Sequence, residues 1–269
     1  MSRWALLIGV NFYPTQPLKG CVNDIKLIQR YAESNVPSSQ ISALTATTPE
    51  QPGSKGLTGD PAKWPTLSNI REHLTKILSM SEPGDQVLIH YSGHGDRMLS
   101  PKNPSPHIVA DHHVALVVLN EDATDTADLQ GIVLAGYINR MVEKGLLVSL
   151  VLDCCFSGAF YRENCEPNSA VRTLIKASGQ GEPTTSTGQR GKTSNIFRDA
   201  HTLPSWIVDP DGYMVIAACG PHELARERQF DGKWHGVLSY YLHETLKFME
   251  GQDGSISYHT FLNNLVTNN

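Results

Sequence analysis

Short apolar runs alternate with helical patterns along the chain. Six apolar runs, each bounded by turn residues, predict strands at Trp4–Ile8, Ile41–Thr47, Gln86–Tyr91, His113–Val118, Leu147–Leu152 and Tyr213–Ala218. Apolar positions at helical spacing predict helices at Asn23–Glu33, Thr66–Ser79, Ala135–Glu143, Trp234–Met249 and Tyr258–Val266. This alternation of strands and helices is typical of an α/β fold.

Two of the predicted strands are apolar almost without interruption. The runs Val87–Ile89 and Leu146–Leu152 contain Ser149 as their one polar residue. Strands of this kind are covered on both faces, so we expect a mostly parallel central sheet of about six strands, flanked by helices on both faces. The carboxyl ends of parallel strands form the ligand crevice of such a sheet. Residues just after Tyr91 and Leu152 are therefore candidates for function.

A long polar segment separates the last predicted strand from the rest. Residues 163–204 are rich in Ser, Thr, Gly, Asn and Gln. Segments of this length without secondary structure are uncommon inside a compact domain and are usually functional or disordered. We predict a single domain over residues 1–269, with a mobile linker loop at 163–204 and a surface insertion at Pro49–Pro65.

The composition argues against several partners. With 40% hydrophobic and 18% charged residues, the chain can bury a core. Its 22 basic and 27 acidic residues give a net charge of −5 without a basic block, so we expect no nucleic-acid partner. No apolar run is long enough to cross a membrane, and five cysteines do not fit a disulfide framework. We therefore predict a cytoplasmic protein with free thiols and no membrane partner.

Two motifs carry the candidate chemistry, one after each of two predicted central strands. Residues 90–96 read His-Tyr-Ser-Gly-His-Gly-Asp, and residues 153–159 read Asp-Cys-Cys-Phe-Ser-Gly-Ala. A thiol and an imidazole at neighbouring strand ends suit a cysteine nucleophile with a histidine base, because the imidazole can take the thiol proton and return it to the leaving amine. The backbone N–H groups of Gly95 and Cys155 could together hold a developing oxyanion.

These motifs resemble those of the caspase-like superfamily, and most closely those of the metacaspases and their bacterial and fungal relatives. The similarity rests on Tyr-Ser-Gly-His-Gly-Asp at 91–96 and Asp-Cys-Cys-Phe-Ser-Gly at 153–158. Residues 5–24 resemble the family's first strand and following helix, and residues 215–238 resemble its small-subunit region. The resemblance implies a large-subunit-like region at 1–162 and a small-subunit-like region at 205–269, on either side of the linker.

The same resemblance implies a role for individual residues. His94 corresponds to the base and Cys155 to the nucleophile, with Cys154 facing inward. Asp24 and Asp153 correspond to the acidic residues of the primary specificity pocket, and Cys21 and Ser92 lie beside them. The expected activity is that of a cysteine endopeptidase that cuts a protein or peptide after Arg or Lys, because paired carboxylates favour a cationic side chain.

The sequence departs from the family where calcium-dependent metacaspases carry acidic ligands. Ala135, Gly136 and Arg162 stand at the corresponding positions, so we expect no calcium site, no other metal and no cofactor. The acidic residues of the nearby segment 121–128 are more simply a solvated loop than a displaced site.

Several alternatives remain open. The chain could be a catalytically silent caspase-like interaction or signalling module, or a protease of the same fold with another primary preference. Asp24 could merely occupy the first turn of a helix, and Asp153 could cap the next segment. The spacing of Cys and His residues gives weak support for zinc, and neither a phosphate-binding glycine loop nor a G-x-S-x-G elbow is present. The oligomeric state is open.

Self-cleavage is a further expectation, and an intact single chain is the alternative. The linker carries five basic residues, at Arg172, Lys176, Arg190, Lys192 and Arg198. An enzyme that prefers basic residues should find such a loop a substrate, because exposed loops are where proteolytic nicking concentrates. The crowding of Gly, Ser and Thr favours a cut after Arg190, Lys192 or Arg198.

Overall fold

The computed structural model describes residues 1–34, 36–47, 57, 59–97, 114–155, 169–172, 211–220, 223–250 and 258–267. The strands are β1 (Arg3–Val10), β2 (Ile41–Ala46), β3 (Gln86–Ser92), β4 (Gly95–Arg97), β5 (Val114–Leu119), β6 (Thr126–Gln130), β7 (Leu147–Asp153), β8 (Ser169–Val171), β9 (Met214–Ala217), β10 (Arg226–Phe230) and β11 (Lys233–Gly236). The helices of eight or more residues are α1 (Cys21–Glu33), α2 (Leu67–Met80), α3 (Gly131–Glu143), α4 (Val237–Glu250) and α5 (Tyr258–Thr267).

A five-stranded parallel sheet forms the centre of the protein. Its strand order is β2-β1-β3-β7-β9, and each neighbouring pair is parallel. Alternate residues of β1 enter different cores: Leu6 and Ile8 pack with α2 and α3, whereas Ala5 and Leu7 pack with α1, α4 and α5. The predicted α/β class with helices on both faces is therefore confirmed.

Among the described residues the central sheet has five strands, one fewer than the approximately six predicted. The run predicted at His113–Val118 forms β5, which belongs to a separate antiparallel sheet of order β4-β5-β6. All six residues of β5 are buried, which explains why the run resembles a central strand. Continuous burial identifies a strand covered on both faces, but it does not reveal which sheet the strand joins.

The helix predicted from Trp234 begins instead at Val237. Residues 233–236 form β11, which pairs with β10 in an antiparallel hairpin. The two turn residues, Asp231 and Gly232, have φ angles of 48° and 76°. An Asp-Gly pair in this conformation is a favoured two-residue hairpin turn, and this local signal outweighs the helical spacing that continues through the strand.

Part of the predicted linker has regular structure. Residues 169–171 form β8, which pairs antiparallel with β10, so the loop does not run without secondary structure from 163 to 204. The other residues of that segment lie outside the described residues, as do most of Pro49–Pro65. Across the described residues, no helix is both long and apolar enough to cross a membrane.

Candidate active site

The two candidate motifs meet at the carboxyl ends of β3 and β7. Ser92 and Asp153 are direct neighbours in the parallel register of these strands. His94 and Cys155 each follow two residues later, and both side chains are buried. The register of the sheet thus brings together two motifs that are about sixty residues apart in the sequence.

The backbone of Arg172 lies between the two motifs. Its carbonyl oxygen accepts hydrogen bonds from the N–H groups of Gly95, at 3.3 Å, and Cys155, at 3.4 Å. Its own N–H group donates to the carbonyl oxygen of Ala225, at 3.1 Å. The two N–H groups predicted to hold an oxyanion therefore already hold a peptide carbonyl oxygen of this chain.

The side chain of Arg172 fills the predicted specificity pocket. The guanidinium is fully buried, and its Nη2 lies 2.8 Å from Asp24 Oδ2. Nη1 lies 3.2 Å from Asp153 Oδ1, and it donates to Ser92 Oγ at 2.6 Å and to the Asp153 carbonyl oxygen at 3.0 Å. The predicted pocket residues thus surround one cation.

Neighbouring groups hold the two aspartates in place. Asp24 accepts hydrogen bonds from Ser92 Oγ and from the N–H of Gly236, and its Oδ1 lies 3.0 Å from His235 Nδ1. Asp153 Oδ2 accepts from both the N–H and the hydroxyl of Ser239. These donors leave little freedom to the carboxylates and fix their positions around the guanidinium. Asp24 does lie in the first turn of α1, as one alternative expected, and it contacts the Arg172 guanidinium from there.

A third carboxylate, Glu227, completes the pocket and was not predicted. Its Oε2 lies 3.7 Å from Arg172 Nη2, and its side chain is almost fully buried. It also accepts from the N–H groups of Lys19, at 3.1 Å, and Gly20, at 2.9 Å, in the segment between β1 and α1. Nothing in the local sequence of β10 indicates this long-range contact.

Gly236 was also not among the predicted site residues. Its contribution to the pocket is steric. A Cβ atom built at this position would lie 2.6 Å from Arg172 Nη1 and would also clash with Asp153. Only glycine leaves room for a guanidinium at this depth of the pocket.

The three carboxyl groups differ in their response to the cation. Burial acts to raise the pKa of Asp24, but the Arg172 charge and hydrogen bonds from His235 outweigh it, so the pKa lies below its usual value. Burial raises the pKa of Asp153 and of Glu227, and Arg172 offsets this only in part. Asp24 is therefore the carboxylate that most firmly holds its negative charge.

His94 is oriented by a backbone carbonyl group. Its Nε2 lies 2.7 Å from the carbonyl oxygen of Gln16 and must carry the proton, because a carbonyl group can only accept. Gln16 has a positive φ of 57°, and Tyr13 packs against the imidazole with ring centroids 4.4 Å apart. The other ring nitrogen, Nδ1, is buried and has no hydrogen-bond partner in the described part of the chain. Gln16 was not predicted, because its contribution is a main-chain carbonyl.

The Cys155 thiol contacts Ala225 in this state. Its Sγ donates to the Ala225 carbonyl oxygen, at 3.3 Å, and accepts from the Ala225 N–H group, at 3.0 Å. A hydrogen bond with the Cys219 sulfur and burial both raise the pKa of Cys155. Among the described residues, no hydrogen bond joins Cys155 directly to His94. Both side chains nevertheless belong to residues that border the Arg172 carbonyl group.

The remaining predicted residues lie as follows. The Cys21 thiol is fully buried beside Ser92, and Cys154 points into the core opposite to the pocket. The Nε2 atom of His90 lies 3.0 Å from Ser239 Oγ. Ala135 and Gly136 are buried within α3, and Arg162 lies outside the described residues.

The acidic segment near the predicted calcium region has local partners. Glu121 accepts a hydrogen bond from the N–H of Ser68 at the start of α2. Asp122 accepts from the backbone and hydroxyl of Thr124, two residues later. The described residues contain no group of three His, Cys, Asp or Glu side chains that could hold a metal ion.

Comparison with known proteins supports the assignment that the motifs suggested. The family described as metacaspase, peptidase C14 domain, matches residues 3–162. The chain belongs to the metacaspase family. The resemblance found in the sequence is thereby confirmed, although the matched range ends before β10 and β11, which supply Glu227 and Gly236 to the pocket.

Curated relatives of this metacaspase come from several kingdoms. Metacaspase-3 of Trypanosoma cruzi is 31% identical over 161 residues, which cover 58% of this chain and 40% of the relative. Metacaspase-6 of Arabidopsis thaliana is 28% identical over 189 residues, covering 66% and 44%. Metacaspase-1A of Aspergillus fumigatus is 25% identical over 187 residues, covering 67% and 42%. The chain thus spans less than half the length of these relatives.

A solved structure supports the fold of this metacaspase. The crystal structure of protein GSU0716 from Geobacter sulfurreducens matches with a TM-score of 0.59 and 16% sequence identity, covering 100% of this chain and 89% of that chain. At this identity the likeness concerns the fold alone.

The protonation state of the His94 imidazole gives a first prediction. Burial lowers the pKa of His94 to about 4, and the nearby Arg172 cation acts in the same direction. We expect the His94 imidazole to stay neutral at every pH above about 4, and NMR titration of its ring, assigned with a His94→Gln variant, should give a midpoint there instead of near the ordinary value of about 6.5. A midpoint at or above 6.5 would indicate an imidazolium paired with a thiolate and would contradict this geometry.

Proposed function

We propose that this metacaspase is a cysteine endopeptidase that hydrolyses peptide bonds after Arg, and more weakly after Lys, with Cys155 as nucleophile and His94 as base. One observation carries the proposal. The same residue, Arg172, has its side chain among the pocket carboxylates and its carbonyl oxygen between the N–H groups of Gly95 and Cys155. A substrate needs both interactions at once.

The backbone contacts suggest how a substrate binds. Residues 169–171 pair antiparallel with 226–228, so a peptide substrate would take the place of this segment as the strand beside β10. Main-chain hydrogen bonds of this kind give affinity without sequence preference, whereas pockets for individual side chains give specificity. In this arrangement, the residue in the carboxylate pocket is the one whose carbonyl carbon is attacked.

The proposed reaction uses groups already beside that carbonyl. The Cys155 thiol exchanges its contact with Ala225 for the substrate, passes its proton to His94 and attacks the carbonyl carbon. The N–H groups of Gly95 and Cys155 stabilise the oxyanion, since they are fixed in position before charge develops there. His94 then protonates the leaving amine, and water hydrolyses the thioester.

The pocket geometry favours Arg over Lys. Asp24 and Asp153 contact different nitrogens of the guanidinium, and Ser92 adds a hydrogen bond to one of them. A planar guanidinium can satisfy such separated acceptors simultaneously, whereas an ammonium is a single point charge. Three carboxyl groups also make the pocket unsuitable for an acidic side chain.

Calcium independence is part of the proposal. Its support is the absence of carboxylates at Ala135, Gly136 and Arg162 in the sequence, together with the local partners of Glu121 and Asp122. Hard cations such as calcium need several oxygen ligands from the protein.

The nucleophile is tested by paired substitutions. We expect Cys155→Ala to abolish hydrolysis of a short Arg peptide and Cys154→Ala to retain most of it, because Cys154 points into the core. Electrophilic trapping followed by peptide mapping should find the adduct on Cys155. An adduct on Cys154 would show that the motif is displaced by one residue, and unaltered activity in Cys155→Ala would exclude this mechanism.

The pocket is tested by removing charge. We expect Asp24→Asn to lower kcat/KM for Arg peptides through a raised KM, by about 2–5 kcal/mol or roughly 30-fold to several thousandfold. Glu227→Gln should act in the same direction with a smaller effect, because its oxygen is 3.7 Å from the cation. Glu33→Gln, on the exposed end of the same helix as Asp24, is the matched control and should change little. Efficient cleavage after Asp by the unmodified protein would contradict the proposed preference.

Ion dependence is tested in the same assay. We expect hydrolysis of the Arg peptide to be retained in excess chelator, because none of the steps above requires a metal. A large stimulation by calcium that disappears on substitution of Glu121 or Asp122 would show that these carboxylates form a site.

A further inference from the structure

We propose that this metacaspase prefers substrates with acidic side chains at the first and third residues before the cut arginine, and that Arg226 and Arg228 of β10 recognise them. The inference rests on the proposed function, in which a peptide takes the place of residues 169–172 beside β10. It adds to that function a substrate class, Arg peptides with acidic residues at alternate positions. It also adds two specificity-determining residues outside the carboxylate pocket.

The register of β8 on β10 shows which side chains would be neighbours. Three residues of the seated segment lie opposite three residues of β10: 171 opposite Arg226, 170 opposite Glu227, and 169 opposite Arg228. Because Arg172 occupies the pocket, these residues stand in for the first, second and third residues before the cut arginine. Directly opposed residues of an antiparallel pair project to the same face of a sheet, with Cβ atoms about 5 Å apart. Each substrate residue would therefore lie beside one side chain of β10.

Glu227 shows which face of β10 meets the pocket. Its Oε2 lies 3.7 Å from Arg172 Nη2, and its side chain is almost fully buried. Because side chains alternate along a strand, Arg226 and Arg228 project to the opposite face, where Arg226 is half-buried and Arg228 is exposed. The first and third residues before the cut arginine project to that face too, so each would lie beside one guanidinium.

The charges on the two faces of β10 have opposite signs. A carboxylate beside Arg226 or Arg228 can accept two parallel hydrogen bonds from the guanidinium. Opposite charges directly across two strands are favourable, whereas like charges are unfavourable. The second residue before the cut arginine would lie beside Glu227, where a further carboxylate is disfavoured. We therefore expect acidic residues to be favoured at the first and third positions and disfavoured at the second.

Arg226 and Arg228 also have interactions within the chain, and the inference does not require either of them to be unpartnered. A guanidinium has several N–H donors, so it can bind a further carboxylate beside an existing partner. The chain's own segment has Val171 and Ser169 at the two positions, which offer no opposite charge to either arginine. A substrate with acidic residues at both positions would therefore compete more effectively for this place beside β10.

The experiment compares kcat/KM of the full chain for three fluorogenic peptides of equal net charge, Ala-Ala-Asp-Arg, Ala-Asp-Ala-Arg and Asp-Ala-Ala-Arg. Relative to Ala-Asp-Ala-Arg, we expect a value about tenfold higher for Ala-Ala-Asp-Arg and about threefold higher for Asp-Ala-Ala-Arg. The second effect is smaller because Arg228 is exposed and Arg226 is half-buried. Since the three peptides carry the same charge, their ratios report the position of the carboxylate and not its general attraction to the protein.

Substitutions assign each preference to one arginine. Arg226→Gln should remove the advantage of Ala-Ala-Asp-Arg alone, and Arg228→Gln should remove that of Asp-Ala-Ala-Arg alone. Arg226→Glu should reverse the wild-type order, so that Ala-Ala-Lys-Arg is hydrolysed faster than Ala-Ala-Asp-Arg. Lys233→Gln removes an exposed positive charge from β11 in the same small sheet and is the matched control, which should keep both ratios. Each ratio compares two peptides on one protein sample, so any loss of folded protein in a variant cancels.

The outcomes separate the inference from the proposed function. If the wild type hydrolyses the three peptides equally, or prefers Ala-Asp-Ala-Arg, the inference is overturned, while hydrolysis after Arg leaves the proposed function standing. Preferences that survive both Arg226→Gln and Arg228→Gln, or that disappear in Lys233→Gln, would also overturn the inference. If the wild type hydrolyses no Arg peptide, both are overturned.

Discussion

The architecture of the site depends on a single buried guanidinium and the carboxyl groups around it. Arg172 is fully buried, and its ion-pair partners come from α1, β7 and β10. Removing such charges from water is costly unless each is paired and hydrogen-bonded. The hydrogen bonds from Ser92, Ser239 and the backbone of Gly236 meet that requirement, so elements far apart in sequence must come together for the charge to be tolerated.

The same constraint involves β10 and β11 in the pocket. Asp24, Ser92 and Asp153 come from α1, β3 and β7, whereas Glu227 and Gly236 come from β10 and β11. Glu227 then connects β10 to the segment before α1 through the N–H groups of Lys19 and Gly20. Since the pocket is closed by residues from all of these elements, the strand beside β10 is positioned relative to Cys155 by the same contacts that close the pocket.

The sequence predicted those features that depend on a short stretch of neighbouring residues. The parallel strands could be predicted from continuous apolar runs, and the registers of β3 and β7 follow once both strands are placed, which brings His94 near Cys155. Glu227 and Gln16 could not be predicted in the same way, because the first acts through contacts about two hundred residues away and the second through a backbone carbonyl that any residue possesses. The sheet to which β5 belongs, and the seating of Arg172, likewise depend on long-range packing. The Asp-Gly pair before β11, in contrast, is a local sequence pattern that predicts a hairpin turn. The helical spacing of the residues after it led instead to the prediction of a helix from Trp234.

Burial of the site also shapes how the reaction can proceed. A dry environment strengthens the attraction between the pocket carboxylates and a guanidinium, but it disfavours every isolated charge. The pKa of Cys155 is raised and that of His94 is lowered to about 4, so the filled site holds a neutral thiol and a neutral imidazole. A thiolate and an imidazolium formed in advance would each be desolvated. Proton transfer that accompanies attack avoids this cost, because negative charge then develops on the carbonyl oxygen, where the N–H groups of Gly95 and Cys155 already lie. In the proposed reaction, the burial that would favour a guanidinium in the pocket would thus also favour a nucleophile that is activated only when a carbonyl group is in place.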